Sequence, residues 1–205
     1  ALVHVVVLPL EERGSYQYSS FTNRYRGFDN NILKFLQQHN GNKFVKYYSP
    51  LEARGLSIRP DNIVDLRFRN INIGRTNDES SSRTVSKDVV IKETVYRPDS
   101  IVKEYARVNA KIHTTRRTVR SEGMVQVEIR DVEGRKLWLQ NYSGQHFWAT
   151  EYTTYTGDNR ALSESDKQEI NRNREQPPRE DEVIRIIMDE IERKLECGIR
   201  DYFRD

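Results

Sequence analysis

Residues Thr84 to Ser121 read TVSKDVVIKETVY-RPDS-IVKEYARVNAKIHTTRRTVRS. Two long runs rich in Val, Ile, Thr and Tyr flank a four-residue break in which Pro98 is pre-set for a turn. This pattern predicts a hairpin with long arms. In the second arm Val102, Ala106, Val108, Ala110 and Ile112 share one face and Lys103, Tyr105, Arg107, Asn109, Lys111 and His113 share the other. The first face is expected to meet the core and the second to face solvent. Two further strands are predicted, Gly123 to Val132 and Arg135 to Trp148. They are joined at Glu133-Gly134, where glycine supplies the positive φ of a tight hairpin turn. The whole block is therefore an antiparallel meander.

Upstream of this block, Leu2 to Leu8 is almost continuously apolar, the pattern of a central strand covered on both faces. Phe21, Tyr25, Phe28, Ile32, Phe35 and Leu36 recur at helical spacing, Gly41 stops that helix, Lys43 to Tyr48 reads as a strand, and Pro50 to Arg54 as a turn of helix. From Asn62 to Ile73 the residues alternate, with Val64, Leu66 and Phe68 on one face. Gly74 to Arg83 (GRTNDESSSR) has no apolar side chain and is predicted to be a mobile loop. Downstream, Ser163 or Ser165 can cap a short helix, Pro177-Pro178 ends it, and a longer helix starts at Asp181. Its stripe of Val183, Ile184, Ile187, Met188, Ile191, Leu195, Ile199, Tyr202 and Phe203 is expected to dock on the sheet. The predicted fold is one α+β domain over residues 1–205. Its mixed, mostly antiparallel sheet has long hairpin strands and is packed by an N-proximal helix and a long C-terminal helix.

Composition narrows the function classes. The chain has 205 residues, enough for one well-buried domain. The 34 Lys and Arg nearly cancel the 31 Asp and Glu, and the two signs are interleaved, so no single-sign field invites nucleic acid. The basic stretch Lys111 to Arg120 is read the same way, as charges that pair across a sheet. Cys197 is the only cysteine, which excludes an internal disulfide and multi-cysteine metal sites. Within its helical pattern it is expected to be a small buried hydrophobe rather than a functional thiol. No apolar run approaches the roughly 20 residues of a membrane span. A start at Ala rather than Met suits a mature or trimmed chain.

No catalytic signature is present: G-x-S-x-G, H-E-x-x-H, the phosphate-binding G-x-x-x-x-G-K-[ST] and G-x-G-x-x-G are all missing. His4, His39, His113 and His146 are scattered without ligand spacing. No cofactor or metal is expected. Tyr142 to Leu162 (YSGQHFWATEYTTYTGDNRAL) concentrates aromatic residues ahead of a turn at Gly157-Asp158-Asn159-Arg160. Trp148, Tyr152, Tyr155, Asp158 and Arg160 form the candidate interaction surface. The alternative reading is structural, with Asp158 and Arg160 bracing the turn, and under that reading Arg160→Ala lowers thermal stability.

The run from Val102 to Phe203, with Ser121-Glu122-Gly123, Gly144, Trp148 and the hexapeptide Gly157-Asp158-x-Arg160-Ala161-Leu162 before a helix, resembles uncharacterised envelope proteins of Bacteroidota-type bacteria. The order β-α-β, meander, helix is also similar to periplasmic lipoproteins of the curli-secretion and penicillin-binding-protein-activator kind. These resemblances imply a non-enzymatic envelope protein, periplasmic or outer-membrane associated, that binds a protein partner or serves assembly, with a lipid-bearing Cys expected upstream of residue 1. Two other readings stand beside it: a subunit of an oligomeric ring or secretion assembly, and an enzyme with an unfamiliar carboxylate site. Lys87, Asp88, Lys92, Glu93, Lys103, Glu104, Arg107 and Lys111 place charge on both faces of the long hairpin. A charge facing lipid costs about 2 to 4 kcal/mol near the midplane, so the hairpin is expected to stay in water.

Overall fold

The computed structural model describes residues 2–12, 27–97, 100–172 and 174–204. Along them run β1 (Val3–Val7), β2 (Glu11–Glu12), α1 (Phe28–Gln38), β3 (Val45–Tyr48), α2 (Pro50–Gly55), β4 (Asn62–Asn72), β5 (Asn77–Arg97), β6 (Ser100–Asp131), β7 (Lys136–Gly157), a 3-10 turn (Asn159–Ala161), α3 (Glu164–Ile170) and α4 (Glu180–Tyr202). The class is α+β, with an N-proximal and a long C-terminal helix. Strand order is β3-β1-β4-β6-β5, with β2 added to β4 and β7 to β6. β1 pairs in parallel with β3 and β4, β2 pairs in parallel with β4, and β4 and β5 each pair antiparallel with β6. Phe21 and Tyr25 of the expected helical stripe lie outside the described residues, as do Pro98 and Asp99 of the expected turn.

The elements divide into two compact units, Ala1–Gly74 with Arg120–His146 and Arg179–Asp205, and Arg75–Val119 with Phe147–Pro178. In the first, Val64, Leu66 and Phe68 of β4 and Val125, Val127 and Ile129 of β6 form a core with Phe28, Ile32 and Leu36 of α1 and the α4 stripe from Val183 to Ile199. Of the two faces that alternate on β4, the one bearing Val64, Leu66 and Phe68 is thus the core face. The helix α4 comes very close to the sheet: a methyl group on Gly144 would overlap the backbone oxygen of Ile187, and one on Gly123 would lie 2.9 Å from the Ile187 Cγ2. Among the described residues β7 has only β6 as a sheet neighbour. On its outer side α4 supplies the missing partners, as Glu190 accepts from the Gln145 N–H at 2.9 Å and Lys194 donates to the Ser143 carbonyl at 2.8 Å.

Burial at the α1–α4 seam lifts the Glu192 carboxyl to about 7; the Glu196 and Asp189 charges add to the shift and the Asn31 side chain opposes it. The folded value lies above the ordinary one of about 4.3. Its favourable contribution is therefore complete below that ordinary value and lost as pH rises through about 7. Glu192→Gln is expected to raise the melting temperature at pH above 7 and leave it unchanged at pH below 4, as read by circular dichroism melts at both ends.

The second unit builds a small core from Ala110, Ile112, Ala161 and Leu162, with Val85, Val108 and Ile170 against it. Three segments differ from the sequence expectation. Asn77 to Arg83 is strand, not loop: polar side chains bond across the pair, Ser80 to Thr115 at 3.0 Å and Asp78 to Arg117, while Glu79 stands opposite Arg116. Strand preference here comes from cross-strand partners rather than apolar content. Ser100 to Asp131 is one continuous strand rather than two, and residues 149–157 extend β7 instead of forming an aromatic loop. Cys197 is exposed rather than buried. It falls between the buried Leu195 and Ile199, two positions from each, on the polar side of α4.

Candidate functional site

Gly157 closes β7 at a φ of 107°. A Cβ there would stand 2.6 Å from the Asn109 carbonyl oxygen, so only glycine fits both the conformation and the approach. The Asp158 carboxylate then caps the 3-10 turn by accepting from the Arg160 N–H at 2.9 Å. It also accepts from Arg160 Nε at 3.0 Å and Nη2 at 2.6 Å. The Arg160 guanidinium holds the Asp158 carboxyl down at about 2. Ser163 caps α3 in a reciprocal box with Asp166. Asp166 also receives the Arg83 guanidinium. The structure therefore brings Asp158 and Arg160 together as a local brace.

The brace sits at the surface, with its two side chains 29% and 53% exposed, so the ion pair contributes little. The cap is kept when only the Arg160 side chain is removed. Asp158→Ala is expected to lower the melting temperature, and Arg160→Ala to leave it unchanged within the error of a thermal melt.

Trp148, Tyr152 and Tyr155 all lie on β7, with Trp148 and Tyr152 half-buried and Tyr155 exposed. Tyr152 is half-buried and stacked by two cations, Arg174 at 4.2 Å and Arg117 at 5.7 Å from its ring. The Arg117 guanidinium in turn holds Asp78 below its usual range. The basic stretch is thus paired within its own sheet at this point. Arg83, Val85, Lys87, Leu162, Ser163 and Asp166 line a groove of about 470 Å³, whose polar wall is largely committed to the Arg83–Asp166 pair. Among the described residues no three His, Cys, Asp or Glu side chains gather as a metal site, and no helix is long and apolar enough to cross a membrane.

A run of exposed apolar side chains lies elsewhere, on the hairpin arms. Gly157, the last residue of β7, sits against Asn109 and Ala110. Beyond that point β5 and β6 continue as a two-stranded ribbon, with no other strand beside them among the described residues. Val90 stands opposite Tyr105 and Val95 opposite Ile101; Tyr105 and Val95 are more than 60% exposed. Ile91, where the register shifts, and Val102 are also exposed. Between the apolar pairs stands the ion pair Lys103 to Glu93 at 2.9 Å, and beyond Val90–Tyr105 stands Arg107 to Asp88 at 3.1 Å. The β-branched content of residues 85–102 was the available signal for this surface. Assigning one face to core and the other to solvent obscured it.

No family model matches the chain, and no curated protein matches it in sequence. Among solved structures it is similar to a neuraminyllactose-binding hemagglutinin homolog from Helicobacter pylori, at 10% identity and a TM-score of 0.40, over 98% of this chain and 85% of that one. It is also similar to a minor lipoprotein from Acinetobacter baumannii, at 11% identity and a TM-score of 0.38, over 97% of this chain and 93% of that one.

Proposed function

We propose that this chain is a non-enzymatic domain of the bacterial cell envelope, periplasmic or outer-membrane associated, that recognises protein through the β5/β6 ribbon. The observation that carries the reading is the ribbon itself. A two-stranded hairpin is marginal in water without a third layer, and this one presents large apolar side chains beside two strand edges that carry no further strand among the described residues. Interleaved ion pairs make lipid a poor solvent for it, which leaves protein as the partner class. The envelope placement rests on the likeness of the Gly157-Asp158-x-Arg160-Ala161-Leu162 segment to envelope proteins, with a lipid anchor upstream as the means of attachment.

The test is site-specific photo-crosslinking in the producing cell followed by fractionation. A crosslinker at Val95 or Ile101 is expected to give discrete protein adducts in the envelope fraction. The same group at Leu51, exposed on the other unit, is expected to give none. Adducts absent at the ribbon, or equally abundant at Leu51, would overturn the reading.

A further inference from the structure

We infer that the occupant of the ribbon is a second copy of this chain, stacked face to face on it about a two-fold axis that runs along the ribbon. The inference rests on the ribbon being a protein-binding surface and adds the identity of the partner.

The argument is one of charge and level. Residues directly opposite across two antiparallel strands stand at the same height and on the same face. One ribbon face therefore carries, in order, Asp88 with Arg107, Val90 with Tyr105, Glu93 with Lys103, and Val95 with Ile101. Polar and apolar levels alternate on it. The four charged residues of this face, Asp88, Glu93, Lys103 and Arg107, divide two against two, and Lys92 faces Glu104 on the opposite face. A strongly acidic or basic partner would gain nothing from such a neutral surface.

A second copy gains at every level. A two-fold axis along the strands preserves height and exchanges the two sides, so β5 of one copy lies over β6 of the other. Glu93 then faces the second copy's lysine at 103 and Lys103 its glutamate at 93. Asp88 likewise faces an arginine. Val90 meets a tyrosine and Val95 an isoleucine, so both exposed apolar levels are covered without burying an unpaired charge. The other two-fold arrangement, with the strands reversed about the Glu93–Lys103 level, would set glutamate on glutamate and lysine on lysine. Charge thus selects the first arrangement.

The test uses the two single charge reversals, Glu93→Lys and Lys103→Glu, in the full chain, with mass measured by light scattering after size exclusion across a concentration series. Wild type is expected to dimerise, and each single variant to associate about ten-fold more weakly or worse, because like charges then face each other across the axis. An equimolar mixture of the two variants is expected to recover the dimer, since each copy then supplies the charge the other lacks. Both variants lose the same internal ion pair alone and in the mixture, so recovery reads contact between copies and not folding of the ribbon. A wild type that stays monomeric, single variants that dimerise like wild type, or a mixture that fails to recover would each overturn the inference. So would binding to phosphatidylethanolamine–phosphatidylglycerol vesicles that Val95→Asp abolishes. A monomeric wild type that still gives ribbon crosslinks in the cell would remove the second copy while leaving the protein-binding reading intact.

Discussion

Ile187→Ala is expected to lower the unfolding free energy by about 2 to 5 kcal/mol. Ile187 is completely buried at the centre of the α4 stripe, in the same core as Val64, Leu66, Val125 and Val127. Its Cγ2 also reaches the floor of the sheet near Gly123 and Gly144. Truncation leaves a cavity that close-packed strands cannot collapse into, so both the transfer and the cavity contributions are lost. Urea unfolding followed by tryptophan fluorescence would report it, since Trp138 packs against this core beside Tyr202. A midpoint shift at unchanged slope is the expected form. Unchanged stability would mean that α4 docks on another molecule rather than on its own sheet.

The second large effect comes from adding a single carbon. Gly144→Ala is expected to cost about 3 kcal/mol or more, at or beyond the upper end of ordinary overpacking. The obstacle is the Ile187 carbonyl oxygen, part of the helix backbone rather than the tip of a flexible side chain. Helix α4 would have to lift away from β7 to make room, weakening its whole buried stripe. Combining it with Ile187→Ala gives no rescue, because the oxygen stays in place. Gly134→Ala makes the contrast. Its φ is 84° but nothing lies near its missing Cβ, so only the left-handed backbone penalty of about 1 to 2 kcal/mol applies. Parallel urea titrations of the two alanine variants decide whether close approach or backbone conformation sets the cost.

The first unit was largely legible in the sequence because its elements obey single periodicities. Val64, Leu66 and Phe68 alternate, and Val183 to Ile199 recur at three and four. The capping of α3 by Ser163 was likewise visible. The second unit was harder to read. Its strand Asn77 to Arg83 is held by hydroxyl and ion pairs to residues more than 30 positions away, which local composition cannot show. β6 changes parity along its length, burying Ala110 and Ile112 at even positions and then Val119, Val125, Val127 and Ile129 at odd ones. Any window taken inside it predicts a face that fails further along. Of the candidate surface, the Asp158–Arg160 pairing follows from the turn at Gly157, whereas the placement of Tyr152 and Tyr155 on a strand depends on β7 running through residue 157, which the dense aromatic content does not signal. Cys197 lies in an amphipathic helical pattern, but two positions from both Leu195 and Ile199, which puts it on the polar face of α4.

Glu190 and Lys194, which bond to the outer backbone of β7 and to each other at 2.6 Å, guard that edge with a charge that acid can remove. Lys194 and Gln145 hold the Glu190 carboxyl below its ordinary range, so the guard persists through mild acidification and fails only once the pH drops further. From that point the Gln145 N–H loses its charged acceptor while Lys194 still covers the Ser143 carbonyl, so the edge opens at one of its two guarded groups. Acid thus weakens the guard at Gln145 before the one at Ser143, and edge-to-edge association on acidification is expected to start there.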